Sequence, residues 1–120
     1  MLKTSFQMNG DYLQIFILDE LYSDIIPMLQ SKVLSIIEQK KPKGVLFNVA
    51  MLDIIDTYSA TIIINLLKMI NLIGPNPVLV GLKPEIVSYL TQSNFDFGNV
   101  LIAKHLDQGI EYLNSIKDKK

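Results

Sequence analysis

Apolar and polar positions change rhythm several times along this chain, and each change marks an element. Residues 3–8 and 12–18 are apolar-rich runs separated by Asn9-Gly10-Asp11. An Asn-Gly pair tolerates positive φ, so the two runs predict a hairpin. The cluster Asp19-Glu20 and then Ser23-Asp24 supply helix-start residues. Tyr22, Ile25, Ile26, Leu29, Val33, Ile36 and Ile37 follow at i, i+3, i+4, i+7 spacing, which predicts a first helix. Lys40-Lys41-Pro42-Lys43-Gly44 ends it, with cations at the negative dipole end and proline as a stop. Val45 to Val49 shows no clean alternation and reads as a short central strand interrupted by Asn48.

A second helix is expected from about Thr57 to Ile73, terminated by Gly74-Pro75-Asn76-Pro77. Val78-Leu79-Val80-Gly81 reads as another buried strand, and Pro84 suits the first turn of a third helix reaching about Thr91. Asn99 to Ile102 fits a last short strand and Leu106 to Ile116 a last amphipathic helix. The order β-β-α-β-α-β-α-β-α implies an α/β fold, one domain over residues 1–120 with a mixed sheet and a parallel centre.

Composition narrows the chemistry. Apolar residues make up 49% and charged residues 19%, as in folded globular chains. Net charge is −1 and every basic residue is a lysine, so nucleic acid is not an expected partner. The longest apolar stretch, Ala60 to Ile73, is broken by Asn65, Lys68 and Asn71. It falls short of the ~20 residues a membrane span needs, so no membrane role and a cytoplasmic location are expected. With no cysteine and one histidine, His105, the chain lacks the usual ligands for a first-row metal, and none is expected. Its glycines form no phosphate-cradling loop, and no carboxylates pair in an apolar context, so neither a cofactor nor a catalytic residue is assigned.

The informative stretch is Leu52-Asp53-Ile54-Ile55-Asp56-Thr57-Tyr58-Ser59-Ala60, where an apolar strand and loop turn into an apolar helix. Asp56 is a good N-cap, and Thr57 follows it at the helix start. A hydroxyl so placed is easily modified, and phosphothreonine would add about −1.5 to −2 charges without opposing the helix dipole. At 100° per residue Thr57, Thr61, Ile64 and Lys68 share one face, expected to be exposed for docking, with Asp53, Asp56 and Tyr58 beside its start. Tyr58 and Ser59 are competing acceptors, and Ser88 and Thr91 on the third helix are a second hydroxyl group. The pattern reads as a switchable binding surface.

Across nearly its whole length the chain resembles a STAS domain, the fold of anti-sigma-factor antagonists. The resemblance rests on the apolar strand leading to Asp56-Thr57, the helix ending in Leu72-Ile73-Gly74, and Val78-Leu79-Val80-Gly81-Leu82-Lys83-Pro84-Glu85-Ile86. It implies helices mainly on one face of the sheet and makes Thr57 the regulatory phosphoacceptor. Tyr58-Ser59-Ala60 stands where simple antagonists carry Ser or Thr and then Gly. The Ile54-Ile55-Asp56-Thr57 start and Gly81-Leu82-Lys83-Pro84-Glu85-Ile86 are more similar to stressosome scaffold proteins of the RsbS and RsbR type. A chain without an N-terminal sensor resembles RsbS, whereas threonine at the acceptor is usual in the sensor-bearing type. A second scaffold phosphosite would fall near Ser88 to Thr91. The resemblance implies a non-enzymatic scaffold of a stress or sigma-factor pathway that holds a serine/threonine kinase of the switch-protein type, assembles with paralogous STAS proteins in a homo- or hetero-oligomer, and releases the kinase on phosphorylation. Alternatives are an antagonist that binds an anti-sigma kinase directly, and a small-ligand or nucleotide-binding module built on the loop before Thr57.

Overall fold

The structure, a computed structural model, describes residues 4–20 and 25–117. Among them run β1 (Thr4–Asn9), β2 (Tyr12–Ile17), α1 (Ile26–Lys40), β3 (Gly44–Asn48), α2 (Thr57–Ile73), β4 (Asn76–Val80), α3 (Pro84–Gln92), β5 (Leu101–Ala103) and α4 (Leu106–Lys117). The strands form one sheet whose spatial order follows the chain, β1-β2-β3-β4-β5. β1 is antiparallel to β2, and all later pairs are parallel. The expected α/β fold and element order are borne out.

Topology dictates where the helices go. Each parallel crossover steps to the next strand in the same direction, and right-handed crossovers then put α1, α2 and α3 on one face. Their side chains, among them Leu29, Val33, Ile63, Leu67, Ile70, Ile86 and Leu90, close over Leu13, Ile15, Val45, Phe47 and Leu79. Helix α4 follows the last strand and is not a crossover, so it is free to cover the opposite face over Leu46, Val78, Val80 and Ala103. Helices thus lie mainly on one face. Strand β3 is buried on both sides, which is why its sequence does not alternate.

Several boundaries moved for local reasons. Asn9 faces Tyr12, so the hairpin loop is Gly10-Asp11, one residue beyond the Asn-Gly pair, and only Gly10 needs positive φ (+61°). Helix α1 starts at Ile26, after an Ile25 with no side-chain cap, and Pro27 supports its first turn. Asp19 and Glu20 lie ahead of that helix, while Tyr22, Ser23 and Asp24 fall outside the described residues. Strand β4 takes in Pro77, aligned with Val45. Strand β5 starts two residues late, after a turn in which Gly98 N–H donates to Asp96 Oδ1 at 2.8 Å.

Candidate functional site

Strands β3 and β4 are parallel neighbours, so the segments leaving their C-terminal ends must lie side by side. Val49 N–H donates to the Val80 carbonyl at 2.9 Å, and the Asn48 side chain accepts from Ala50 N–H at 2.9 Å, which turns the chain out of β3. Leu52 and Ile55 then plug into the core, while Met51 and Ile54 stay exposed. The two segments approach closely at Gly81. A Cβ there would sit 2.9 Å from that of Ala50 and 3.1 Å from its backbone, and Gly81 has φ +88°. Only glycine meets both conditions without strain.

Asp56 caps α2. Its backbone is extended (φ −83°, ψ 175°) and its Oδ1 accepts from Ser59 N–H at 2.8 Å. Hydrogen bonds from Ser59, the backbone N–H first, hold the Asp56 carboxyl below its ordinary pKa. Thr57 is the first helical residue and is exposed. Its carbonyl accepts from the Thr61 hydroxyl at 2.8 Å, while its own hydroxyl takes no part in these turn bonds. The cap therefore belongs to Asp56, and the Thr57 hydroxyl is left to solvent.

Beside this turn lies a concavity of about 340 Å³ lined by Asp53, Ile54, Ile55, Asp56, Glu85, Ile86 and Tyr89. Its floor is apolar and its rim carries three carboxylates. Lys83 Nζ donates to Asp53 Oδ1 across the two segments. This hydrogen bond and then the lysine's charge hold the Asp53 carboxyl below its usual range. Asp53 is 82% exposed and Lys83 only half-buried, so the pair is screened by solvent and orients the loop more than it stabilises it. Tyr58, 61% exposed, and Tyr89, 48% exposed, add apolar surface nearby.

Asp53, Asp56, Thr57, Tyr58 and Thr61 gather at this end of α2, with Thr57, Tyr58 and Thr61 exposed. Lys68 is exposed on the same side but eleven residues on, about 16 Å along the axis. Ile64 does not belong to the docking face. It is only 3% exposed, packed in a cluster with Ile55, Ala60, Leu79, Leu82, Leu90 and Phe97. The segment between α3 and β5 brings Phe97, edge-on to Phe95 at 4.9 Å, against this flank of the helix. At Gly98 it runs so close that a Cβ would lie 2.9 Å from Lys68 Cε. Helix α2 accordingly has an ordinary solvent stripe, Thr57, Tyr58, Thr61, Asn65, Lys68 and Leu72, within about 100° of arc.

Ser59 is half-buried, its N–H committed to Asp56. Ser88 and Thr91 are exposed on α3 but do not line the concavity, where α3 instead places Glu85, Ile86 and Tyr89. Sequence reasoning gave these three, and Lys83 and Ile54 with them, no role in the site. One signal was available: adjacent parallel strands imply that the segments after Val49 and after Val80 share one edge of the sheet.

A five-stranded sheet with one antiparallel edge, three crossover helices on one face, and a capped helix start exposed at the strands' C-terminal end define a known architecture. The STAS domain profile matches residues 4–109. The chain belongs to the STAS domain family. The RsbT co-antagonist protein RsbRB of Bacillus subtilis (strain 168) is 31% identical over 74 residues, covering 62% of this chain and 27% of that relative. The chain thus spans about a quarter of that relative's length. A substituted form of RsbS from Moorella thermoacetica superposes with a TM-score of 0.79 at 22% identity, over 97% of this chain and 98% of that one. A chain from the stressosome, described as a signal integration and transduction hub, gives 0.81 at 22% identity over 94% and 98%. These two likenesses bear on the fold.

Proposed function

We propose that this chain is a non-enzymatic, phosphorylatable scaffold of the cytoplasm. It holds a serine/threonine kinase of the switch-protein type, alongside paralogous STAS proteins, and releases it when Thr57 is phosphorylated. The observation that carries this is the division of labour at the start of α2: Asp56 caps the helix while Thr57 stays exposed. Modification then adds about −1.5 to −2 charges where the helix dipole favours them by roughly 0.3–1 kcal/mol, so the host stays folded. The same charge arrives beside Asp53, Asp56 and Glu85. An interface closed over a neutral hydroxyl would have to desolvate a dianion, and any partner carboxylate would face repulsion of several kcal/mol, on the order of a hundredfold in affinity. Names among the relatives, an RsbT co-antagonist and a stressosome chain, support this class of role.

Incubation with a serine/threonine kinase of the switch-protein type and ATP, followed by mapping of phosphate by mass spectrometry, tests the assignment. Thr57 should be labelled, and Thr57→Asp should weaken kinase capture about a hundredfold with an unchanged melting transition. Phosphate on Ser59, Ser88 or Thr91 in place of Thr57 would overturn the site.

A further inference from the structure

The far end of α2 borders a gap that the fold itself creates. Strand β4 has five residues and β5 only three, and their pairing begins at Val78 opposite Leu101. Asn76 and Pro77 therefore have no β5 residue beside them. Asn76 N–H donates to the Lys43 carbonyl at 3.2 Å, and Pro77 has no N–H to leave unpaired, so the notch is tolerated. A cleft of about 490 Å³ opens there between the last turns of α2, the start of β4 and residues 98–101.

Leu67, Leu72, Pro77, Val100 and Leu101 make its walls mostly apolar, while Asn71, Asn76 and Asn99 add neutral amides. Lys68 is the one ionisable residue lining it. The lysine stem lies across the Gly98 backbone, where a Cβ would sit 2.9 Å from Lys68 Cε and 3.1 Å from Nζ. Asp96, close by in sequence, accepts Gly98 N–H, and among the described residues no carboxylate pairs with the Lys68 ammonium. The concavity beside Asp56 has the opposite character, with three carboxylates on its rim.

We propose that this cleft binds a small amphipathic carboxylate, an aryl or branched aliphatic acid. Its anion meets Lys68, and its apolar body lies against Leu72, Pro77 and Leu101. Small-molecule sites are clefts of about 300–1,000 Å³ that join apolar walls to a few orienting polar groups, and this cleft has that make-up. An ammonium without a counter-ion between apolar walls gains more from an anion than one surrounded by water. The carbonyl end of α2 carries partial negative charge, which turns the anion away from residues 71–73 and toward Lys68. A phosphate would bring a second charge, and no second cation lines the cleft to meet it. The site uses neither the kinase nor Thr57, which lies eleven residues back along α2.

Titration of the ¹⁵N-labelled full chain with 3-phenylpropionate, followed by NMR, tests it. The Gly98, Asn99 and Leu101 amides and the Asn76 side chain should shift to saturation, with a dissociation constant of about 1 mM or below. The neutral 3-phenylpropanamide should bind about fivefold or more weakly, and Lys68→Met should lose the acid by the same factor with an unchanged melting curve. Absence of saturable shifts, equal affinity for the amide, or equal affinity in Lys68→Met would each overturn the site. Shifts centred on Ile54, Ile86 and Tyr89 would overturn it as well.

Discussion

The first turn of α2 and its middle turns are governed by different information. At the start, residues within four positions of one another decide the geometry: Asp56 receives Ser59 N–H, and Thr61 bonds the Thr57 carbonyl. In the middle, helical spacing places Ile64 with Thr61 and Lys68, yet Ile64 is buried while its neighbours are exposed. Residues far along the chain, Leu90 and Phe97, make that difference. A helix cap is chosen locally, whereas a helix face is assigned by whatever is folded against it.

The largest expected effect separates the two directly. Ile64→Ala should cost about 2–5 kcal/mol in urea unfolding, while Thr61→Ala on the same face should stay within about 0.5 kcal/mol. Equal costs would mean that the α3–β5 segment does not cover this flank. Gly81→Ala should come next, at about 1–2 kcal/mol from its left-handed φ alone, with the contact against Ala50 adding to it. A neutral result there would break the claim that the two segments approach too closely at Gly81 for a side chain.

Asp56→Ala should cost about 1 kcal/mol, the usual worth of a cap, and Asp56→Asn much less because asparagine also caps. The pH dependence has a definite sign. Asp56 titrates below its unfolded value, so its contribution is complete above the unfolded pKa of about 3.9 and is lost as the pH falls through the folded value. The gap between wild type and Asp56→Ala, followed by thermal melts, should therefore close on acidification below about pH 4. A gap that widens in acid would refute the capping role. Smallest of all, Asp53→Asn should leave the melting transition unchanged at physiological salt, because the Asp53 end of its ion pair with Lys83 is open to solvent. A clear loss there would show that the pair orders more of the loop than its exposure suggests.

Much of this molecule is determined by sequence alone. Residues 57–73 form a helix with an aspartate cap ahead of them and Gly74 behind, because caps, stops and periodicity are short-range chemistry. The alternation of strands and helices likewise dictates a parallel centre, since right-handed crossovers leave few other arrangements. Tertiary structure alone decided that Ile64 is core, that Tyr89 and Glu85 stand beside Asp56, and that Lys83 reaches Asp53. Each of these depends on which distant segment lies against which. A residue's own hydrophobicity states how much burial would gain, but only the packed chain supplies the neighbour that buries it.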